Sequence, residues 1–249
     1  MCVGGAQQLC GCASDGDCAG FDDDDICNGS YACKDGACIY DGKALKCDFD
    51  YVAFCDASSL SPIGKATKLA NGFQLTHGKE TDAGALWFKT PLVPASFSSS
   101  FVVAGFAAAW SFVLQATASQ DQLSAGSVAD NTPPLSTSAI GVRVEGELNQ
   151  PSKLTIYAGG VKVAEQPNAL TWTQTQSVQR FWVDADYVNK TVSVYVGDTK
   201  PATALLSGRV YMGKVPSTQS QPMIVGFTAG NSAAAFRTKS LISWWGKHN

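Results

Sequence analysis

Cysteine is absent from the sequence after Cys55, yet nine cysteines lie at or before that point. So short a segment cannot bury a sufficient apolar core, and its high cysteine density indicates a module held together by disulfides. Disulfides persist in oxidising surroundings, so we expect a secreted, extracellular protein. We therefore assign residues 1–57 to a Cys-rich, disulfide-stapled module and residues 58–249 to a second domain.

Charge and long apolar runs are also scarce. Charged residues make up 16% of the chain, and the 18 Lys and Arg are scattered without a basic stripe, so nucleic acid is not expected as a partner. The longest apolar run, near residues 101–114, is interrupted by Gly105 and Ser111. It is shorter than the about twenty residues that cross a bilayer, so no membrane span is predicted.

The cysteines favour disulfides over a zinc site. No histidine precedes His77, and no paired C-x-x-C knuckles occur. The cysteines expected to form disulfides are Cys10, Cys12, Cys18, Cys27, Cys33, Cys38, Cys47 and Cys55. Because nine is an odd number, one thiol is left over, and Cys2 is our candidate for a cross-link to another chain or an oligomer.

Short motifs suggest two modifications and one ion. Asn28 and Asn189 each begin an N-x-S/T sequon and are predicted N-glycosylation sites if the source is eukaryotic. The acidic run at residues 22–25 has carboxylates that suit calcium, but it lacks the spacing and closing glutamate of an EF-hand. A solvated acidic loop is therefore favoured, and no cofactor is expected.

From about Ser58 onward, short β-branched and aromatic runs alternate with turn residues. Residues 191–196 alternate strictly, with three valines on one face, as expected of a half-buried antiparallel strand. Similar runs occur at residues 99–103, 111–115, 140–144, 153–157, 180–184, 223–227 and 240–244. No segment sustains a helical period, so the pattern predicts an all-β sandwich of two antiparallel sheets.

Several of these segments resemble, in order, those of the L-type (legume-type, concanavalin A-like) lectins. The matching segments are residues 83–87, 97–101, 111–115, 180–196, 225–230 and 241–244. The second half is the more specific, with Trp182-Val183-Asp184 in a hairpin pattern and a closing Leu241-Ile242-Ser243-Trp244. The resemblance implies a concanavalin A-like jelly-roll sandwich.

The resemblance also implies that the ancestral metal and sugar groups are eroded. The family's sugar-gripping aspartate has no counterpart in residues 108–112, and Arg143 stands where its first metal-binding glutamate falls. Glu145 and Asn149 keep oxygen ligands at matching positions. Our hypothesis is that Arg143 replaces the metal ion by pairing with Glu145 or Glu147, so no metal is expected. The alternative is that Arg143 points outward on a solvated strand.

Five residues are candidates for carbohydrate binding. The resemblance maps the family's saccharide-contacting backbone and asparagine onto Gly230, Asn231 and Asn149. Gly126 is the candidate for a glycine that lets a sugar approach the backbone. Trp110 either stacks on a sugar face or fills the interior of the sandwich.

Catalysis is the least favoured function. A retaining glycosidase needs two carboxyl groups about 5 to 5.5 Å apart, which strand geometry allows for Glu145 and Glu147 or for Asp184 and Asp186. The longer E-x-D-x-E pattern of sandwich glycosidases is absent, and neither histidine lies in a nucleophile motif. A sandwich-fold glycosidase or lyase is therefore the weakest reading, and no enzyme activity is predicted.

We expect a secreted, non-catalytic lectin-like protein that binds carbohydrate in a metal-independent or degenerate site. The alternative is a structural or adhesive subunit of an extracellular assembly that has lost sugar binding. A glycan or an extracellular protein is the expected partner.

Overall fold

The computed structural model falls into two compact units, Met1–Asp50 and Tyr51–Asn249. It describes residues 9–10, 12–15, 17–18, 31–40, 49–52, 58–69, 72–79, 82–92, 96–105, 109–116, 139–146, 151–171, 178–210, 222–231 and 238–248. The boundary expected between residues 57 and 58 stays a prediction, because residues 53–57 lie outside this set.

The first unit contains a small antiparallel sheet of three strands, in the order β1-β3-β2. These strands are β1 (Leu9–Cys10), β2 (Tyr31–Lys34) and β3 (Ala37–Tyr40). Asp35 and Gly36 join β2 to β3, and both have positive φ angles, of 52° and 75°. An Asp-Gly pair in this conformation forms the tight hairpin turn that matches the twist of two antiparallel strands.

One disulfide of this unit is defined by both partners. Cys12 is bonded to Cys33, 21 residues later, and Cys18 is also disulfide-bonded. The sulfurs of these three cysteines lie within 4.8 Å of one another, but disulfide sulfurs are not the thiolates that bind a metal. Cys10 and Cys38 lie in β1 and β3. Of the cysteines and the sequon asparagines, Cys2, Cys27, Asn28, Cys47 and Cys55 lie outside the described residues.

The second unit is made of strands, and its described residues contain no α-helix. Its strands, with β4 at the boundary, are β4 (Phe49–Val52), β5 (Leu60–Gly64), β6 (Thr67–Leu69), β7 (Gly72–His77), β8 (Ala83–Phe88), β9 (Ser96–Ala104), β10 (Trp110–Ala116), β11 (Ala139–Glu145), β12 (Pro151–Ala158), β13 (Val161–Thr171), β14 (Val178–Asp186), β15 (Thr191–Val196), β16 (Leu206–Arg209), β17 (Met223–Gly230) and β18 (Thr238–His248). Within the described part of the chain, no helix is long and apolar enough to cross a membrane.

These strands form two antiparallel sheets that pack as a sandwich. The seven-stranded sheet has the order β13-β12-β11-β10-β17-β8-β5. The eight-stranded sheet has the order β16-β15-β14-β9-β18-β7-β6, and its eighth strand, β4, pairs with β18 outside this order. Every strand predicted from alternation lies within one of these strands. The predicted all-β sandwich is therefore confirmed.

Aromatic rings from both sheets fill the space between them. Phe101 of β9 lies at the centre of this group, with ring centroids 4.8 Å from Phe227, 5.2 Å from Phe112, 5.6 Å from Phe181 and 5.8 Å from Trp110. Each ring is at most 4% exposed. Burial of such large apolar surfaces stabilises the sandwich and fixes which face of each strand points inward.

Two tryptophans that follow core aromatic residues in sequence point away from the core but are also buried. Phe181 and Trp244 point into the core, whereas their neighbours Trp182 and Trp245 lie on the other face of the eight-stranded sheet. Both face Ser100 of β9, and their rings meet edge to face with centroids 5.9 Å apart. Trp182 is 4% and Trp245 5% exposed.

Candidate functional site

The outer face of the seven-stranded sheet carries a row of buried polar residues. Phe112 and Val142 point into the aromatic core, so their neighbours Ser111 and Arg143 point to the opposite face. Ser111, Arg143 and Thr155 are paired directly across β10, β11 and β12. None of the three is more than 3% exposed.

This polar row keeps hydrogen-bonding atoms without partners. Ser111 Oγ, Arg143 Nε and Thr155 Oγ1 are buried and form no hydrogen bond. A buried polar atom left unpaired costs free energy, so a row of three is unusual in a folded domain.

A chain of opposite charges extends from the row. The Arg143 guanidinium contacts Oε1 of Glu145, which follows two residues later on the same face of β11. Lys153 Nζ lies 2.8 Å from the other carboxylate oxygen of Glu145 and 3.9 Å from Glu165 Oε2. The hydrogen bond to Glu145 raises the pKa of Lys153, although partial burial opposes this. Charge on the buried guanidinium is thus compensated within the sheet.

An apolar cluster lies beside the polar row on the same sheet. Its members are Ala85, Trp87, Val113, Ala139 and Ile224, each at most 2% exposed, with Ile63 packed against them. Gly226 has no room for a side chain, because an added Cβ would lie 2.4 Å from the Trp87 ring. This half of the face is therefore filled rather than open.

A second buried cation, Lys239 of β18, organises the end of β17. Its Nζ donates to the carbonyl of Gly230, at 3.0 Å, and to Oδ1 of Asn231. Asn231 in turn donates from Nδ2 to the Lys79 carbonyl and from its backbone N–H to the Asp82 carbonyl. Lys239 is 1% exposed, and burial lowers the pKa of its amine to about 7, with the Asp82 charge opposing the shift.

The Asp82 carboxylate fixes the β7–β8 turn, which takes part in the Lys239 network. Burial alone raises its pKa, but the backbone N–H groups of Lys79 and His77 donate to its carboxylate and lower the pKa overall. A neutral amine has two hydrogens, and Lys239 places both on acceptors. The network joins β17, β18 and the β7–β8 turn without a water-exposed charge.

Solved structures that resemble this chain include several lectins. Lectin I-B4 from Griffonia simplicifolia, in its metal-free form, matches with a TM-score of 0.62 and 17% identity, over 81% of this chain and 98% of that one. The lectin from Bauhinia forficata in complex with GalNAc matches at 0.60 and 15%, over 81% and 97%. The metal-free carbohydrate recognition domain of Emp46p matches at 0.56 and 12%, over 82% and 98%.

The β unit has the legume-lectin jelly-roll fold. No family model matches the sequence, and no curated protein does so at a significant level. Identities this low establish the fold alone, so the function of the jelly roll depends on its own side chains.

At the position where the resemblance puts a metal-binding glutamate, the described charged residues pair with one another. Both carboxylate oxygens of Glu145 already contact cations, namely Arg143 and Lys153. A guanidinium repels a metal ion and offers only N–H donors. The alternative in which Arg143 points outward on a solvated strand is wrong, because Arg143 is only 3% exposed.

Three of the five predicted carbohydrate-binding residues are described, and all three are buried. Trp110 is 4% exposed and packs edge-to-face on Phe101 and Phe181, so it fills the interior of the jelly roll. Gly230 and Asn231 end β17, where Lys239 binds both. Asn149 and Gly126 lie outside the described residues. Carbohydrate binding by these five residues stays a prediction.

Three of the four carboxylates considered for catalysis are held by other groups, and the fourth, Glu147, lies outside the described residues. Asp184 pairs with Lys200 Nζ at 2.6 Å and accepts a hydrogen bond from Ser98 Oγ at 2.9 Å. Asp186 accepts from the backbone of Val188 and from Asn189, both backbone and side chain. These hydrogen bonds from Asn189 lower the pKa of Asp186. Neither carboxylate is placed as a free acid or nucleophile.

Sequence reasoning missed Lys239 and its network. The register of β18 shifts between Lys239 and Ser240, so simple alternation does not reveal which face the lysine occupies. A lysine in a strand is normally assigned to solvent.

Proposed function

We propose that the jelly roll is a non-catalytic, carbohydrate-binding domain whose site needs no metal ion. The observation that carries the proposal is the ion pair between buried Arg143 and partly exposed Glu145, at the position where the family resemblance puts a metal-binding glutamate. An internal cation that neutralises the carboxylate does there what a bound ion does electrostatically. The lectins with the same fold include structures of metal-free forms.

Secretion and the absence of catalysis belong to the same proposal. The Cys12–Cys33 disulfide suits an oxidising compartment, which supports an extracellular location. The engaged carboxylates of Asp184 and Glu145 support a binding domain rather than a hydrolase.

A glycan array with and without chelator tests the proposal. We expect glycans bound by the full chain to remain bound in excess EDTA, and elemental analysis to find no stoichiometric calcium or manganese. In Arg143→Met, the same glycans should bind more weakly, whereas Lys34→Met, which removes an exposed cation of the first unit, should bind as the parent does. Binding that disappears with EDTA and returns with calcium would sink the metal-free site.

The burial of Trp110, Gly230 and Asn231 favours a second candidate, a structural or adhesive subunit. Buried groups cannot contact a sugar unless the surrounding loops move. An array without any hit, together with a dimer or fibre on gels that reductant dissolves, would favour this candidate. Release of reducing ends from a polysaccharide panel would instead favour an enzyme.

A further inference from the structure

A cleft at the edge of the eight-stranded sheet gathers two cations. Asn189, Lys190, Arg209 and Val210 line this cavity, which has a volume of 230 Å³. The β15–β16 pairing creates it, because Arg209 lies opposite Thr191 and Val210 N–H donates to the Lys190 carbonyl at 2.8 Å. Asn189, Lys190 and Arg209 are exposed.

Among the described residues, these two cations lack the carboxylate partners that four other cations have. Lys153, Lys162 and Lys200 each lie within 4.0 Å of a carboxylate oxygen, and Arg143 contacts Glu145. Among the described residues, no carboxylate forms an ion pair with Lys190 or Arg209.

The acidic residue nearest to Lys190 in sequence does not neutralise either cation. Asp186 belongs to the same turn, but its carboxylate accepts three hydrogen bonds from Val188 and Asn189. Two like charges that line one cleft repel each other, and an anion bound between them would relieve the repulsion. The guanidinium of Arg209 has the fork of donors that matches a carboxylate or sulfate.

Polar groups around the cations suit the hydroxyls of a sugar. The side-chain carbonyl of Asn189 stays available as an acceptor, since its amide nitrogen is the atom that donates to Asp186. Ser193 and Ser207 form a hydroxyl pair on the same two strands, with oxygens 2.9 Å apart. The cavity is smaller than the about 300–1,000 Å³ of pockets for drug-sized ligands, so it suits one small anionic unit.

We propose that this cleft binds the sulfate or carboxylate group of an acidic saccharide. Lys190 and Arg209 bind the anion, and Asn189 accepts a hydroxyl hydrogen of the same sugar unit. The site is independent of the outer face of the seven-stranded sheet, so its failure would leave the proposed function above untouched.

Titration calorimetry with dextran sulfate and unsulfated dextran of equal length tests the cleft. The disulfide-bonded full chain, produced without N-glycosylation, should bind the sulfated polymer and not the neutral one. Affinity should fall about tenfold or more in Lys190→Gln/Arg209→Gln, because charge-assisted hydrogen bonds are lost. The control Lys162→Gln/Lys200→Gln removes the same net charge elsewhere and should keep its affinity within about twofold.

Three outcomes would overturn the proposal. The first is no binding of dextran sulfate by the parent chain, and the second is an equal loss of affinity in both double variants. The third concerns the source of the anion: if inorganic sulfate binds as tightly as a sulfate unit of the polymer, the saccharide takes no part. Binding of neutral array glycans should be unchanged in Lys190→Gln/Arg209→Gln.

Discussion

The two sheets of the jelly roll compensate positive charge in different ways. On the seven-stranded sheet, Arg143 is 3% exposed and its charge is met by Glu145, which also contacts Lys153. At the edge of the eight-stranded sheet, Lys190 and Arg209 are exposed and pair with no described carboxylate. A buried charge must be compensated inside the protein, whereas water can solvate an exposed one until a ligand arrives. The comparison separates cations that hold the fold from cations available for binding.

Lys239 shows a third solution. It is as buried as Arg143, but its near neighbours are a carbonyl and an amide oxygen rather than a paired carboxylate. Desolvation therefore favours loss of its proton, and the pKa falls to about 7. An uncompensated charge in the interior is thus avoided at Lys239 by loss of the proton, whereas at Arg143 it is avoided by pairing with a carboxylate.

Removing the partner of the buried Arg143 guanidinium is expected to have the largest effect. Glu145→Gln removes the carboxylate and leaves the Arg143 guanidinium uncompensated, so the free energy of unfolding should fall by about 3 kcal/mol. Chemical denaturation measures this loss. Arg143→Met/Glu145→Leu, which removes both charges, should be more stable than Glu145→Gln. If the single variant proves as stable as the parent chain, the pair is not structural.

The pH dependence of stability sharpens the contrast between Arg143 and Lys239. The unfolded chain keeps a proton on Lys239 up to a pKa near 10.5, whereas the folded chain releases it near 7. The unfolded state therefore binds more protons between these values, so stability should rise with pH there by up to about 1.4 kcal/mol per pH unit. Below pH 7 this contribution levels off, because both states hold the proton.

Lys239→Met should remove this rise, measured as the difference between variant and parent in urea titrations at pH 7, 8 and 9. Lys79→Met serves as the control, because its side chain is exposed and takes no part in the network. A parent curve parallel to that of Lys239→Met would show that the lysine stays charged in the folded domain.

A smaller effect is expected at the exposed ion pair of the eight-stranded sheet. Lys200→Gln breaks the contact with Asp184, but both side chains are partly solvated, so unfolding free energy should change by about 0.5 kcal/mol. Raising the salt concentration should shrink the difference further. A loss as large as that of Glu145→Gln would contradict the distinction between buried and surface compensation.

The smallest effect is expected in the cleft. Lys190→Gln removes a cation that repels Arg209 and has no described partner, so stability should stay within about 0.5 kcal/mol of the parent value. Thermal unfolding of the ligand-free chain measures it. A marked loss of stability would place Lys190 among the structural cations and remove the reason to expect an anion there.

Local features of the fold follow from the sequence, and the pairing of distant strands does not. The alternation of residues 191–196 predicts β15, with Val192 and Val194 buried. The same two-residue period puts Arg143 and Glu145 on one face, which made their pairing predictable. The place of β9 between β14 and β18 is set by contacts between residues far apart in sequence, which no local pattern encodes.

The candidate sites also depend on contacts between strands that the local sequence does not predict. Lys190 and Arg209 form a cleft only because β15 pairs with β16, and neither residue carries a motif. Both roles of Trp110 were open from the sequence, and only its packing against Phe181 shows that it turns inward. The sequence predicts which residues have unusual chemistry, and the fold decides which of them meet.

The central place of β18 has a consequence for the order of folding. In the eight-stranded sheet β18 lies between β9 and β7, and Ser99 Oγ donates to the Trp245 carbonyl 146 residues later. Synthesis runs from the N-terminus, so β7 and β9 each wait with an open edge until β18 emerges. Unpaired strand edges are templates for association with other chains. The interval before β18 is made is therefore the stage at which this domain is most prone to aggregate and most dependent on chaperones.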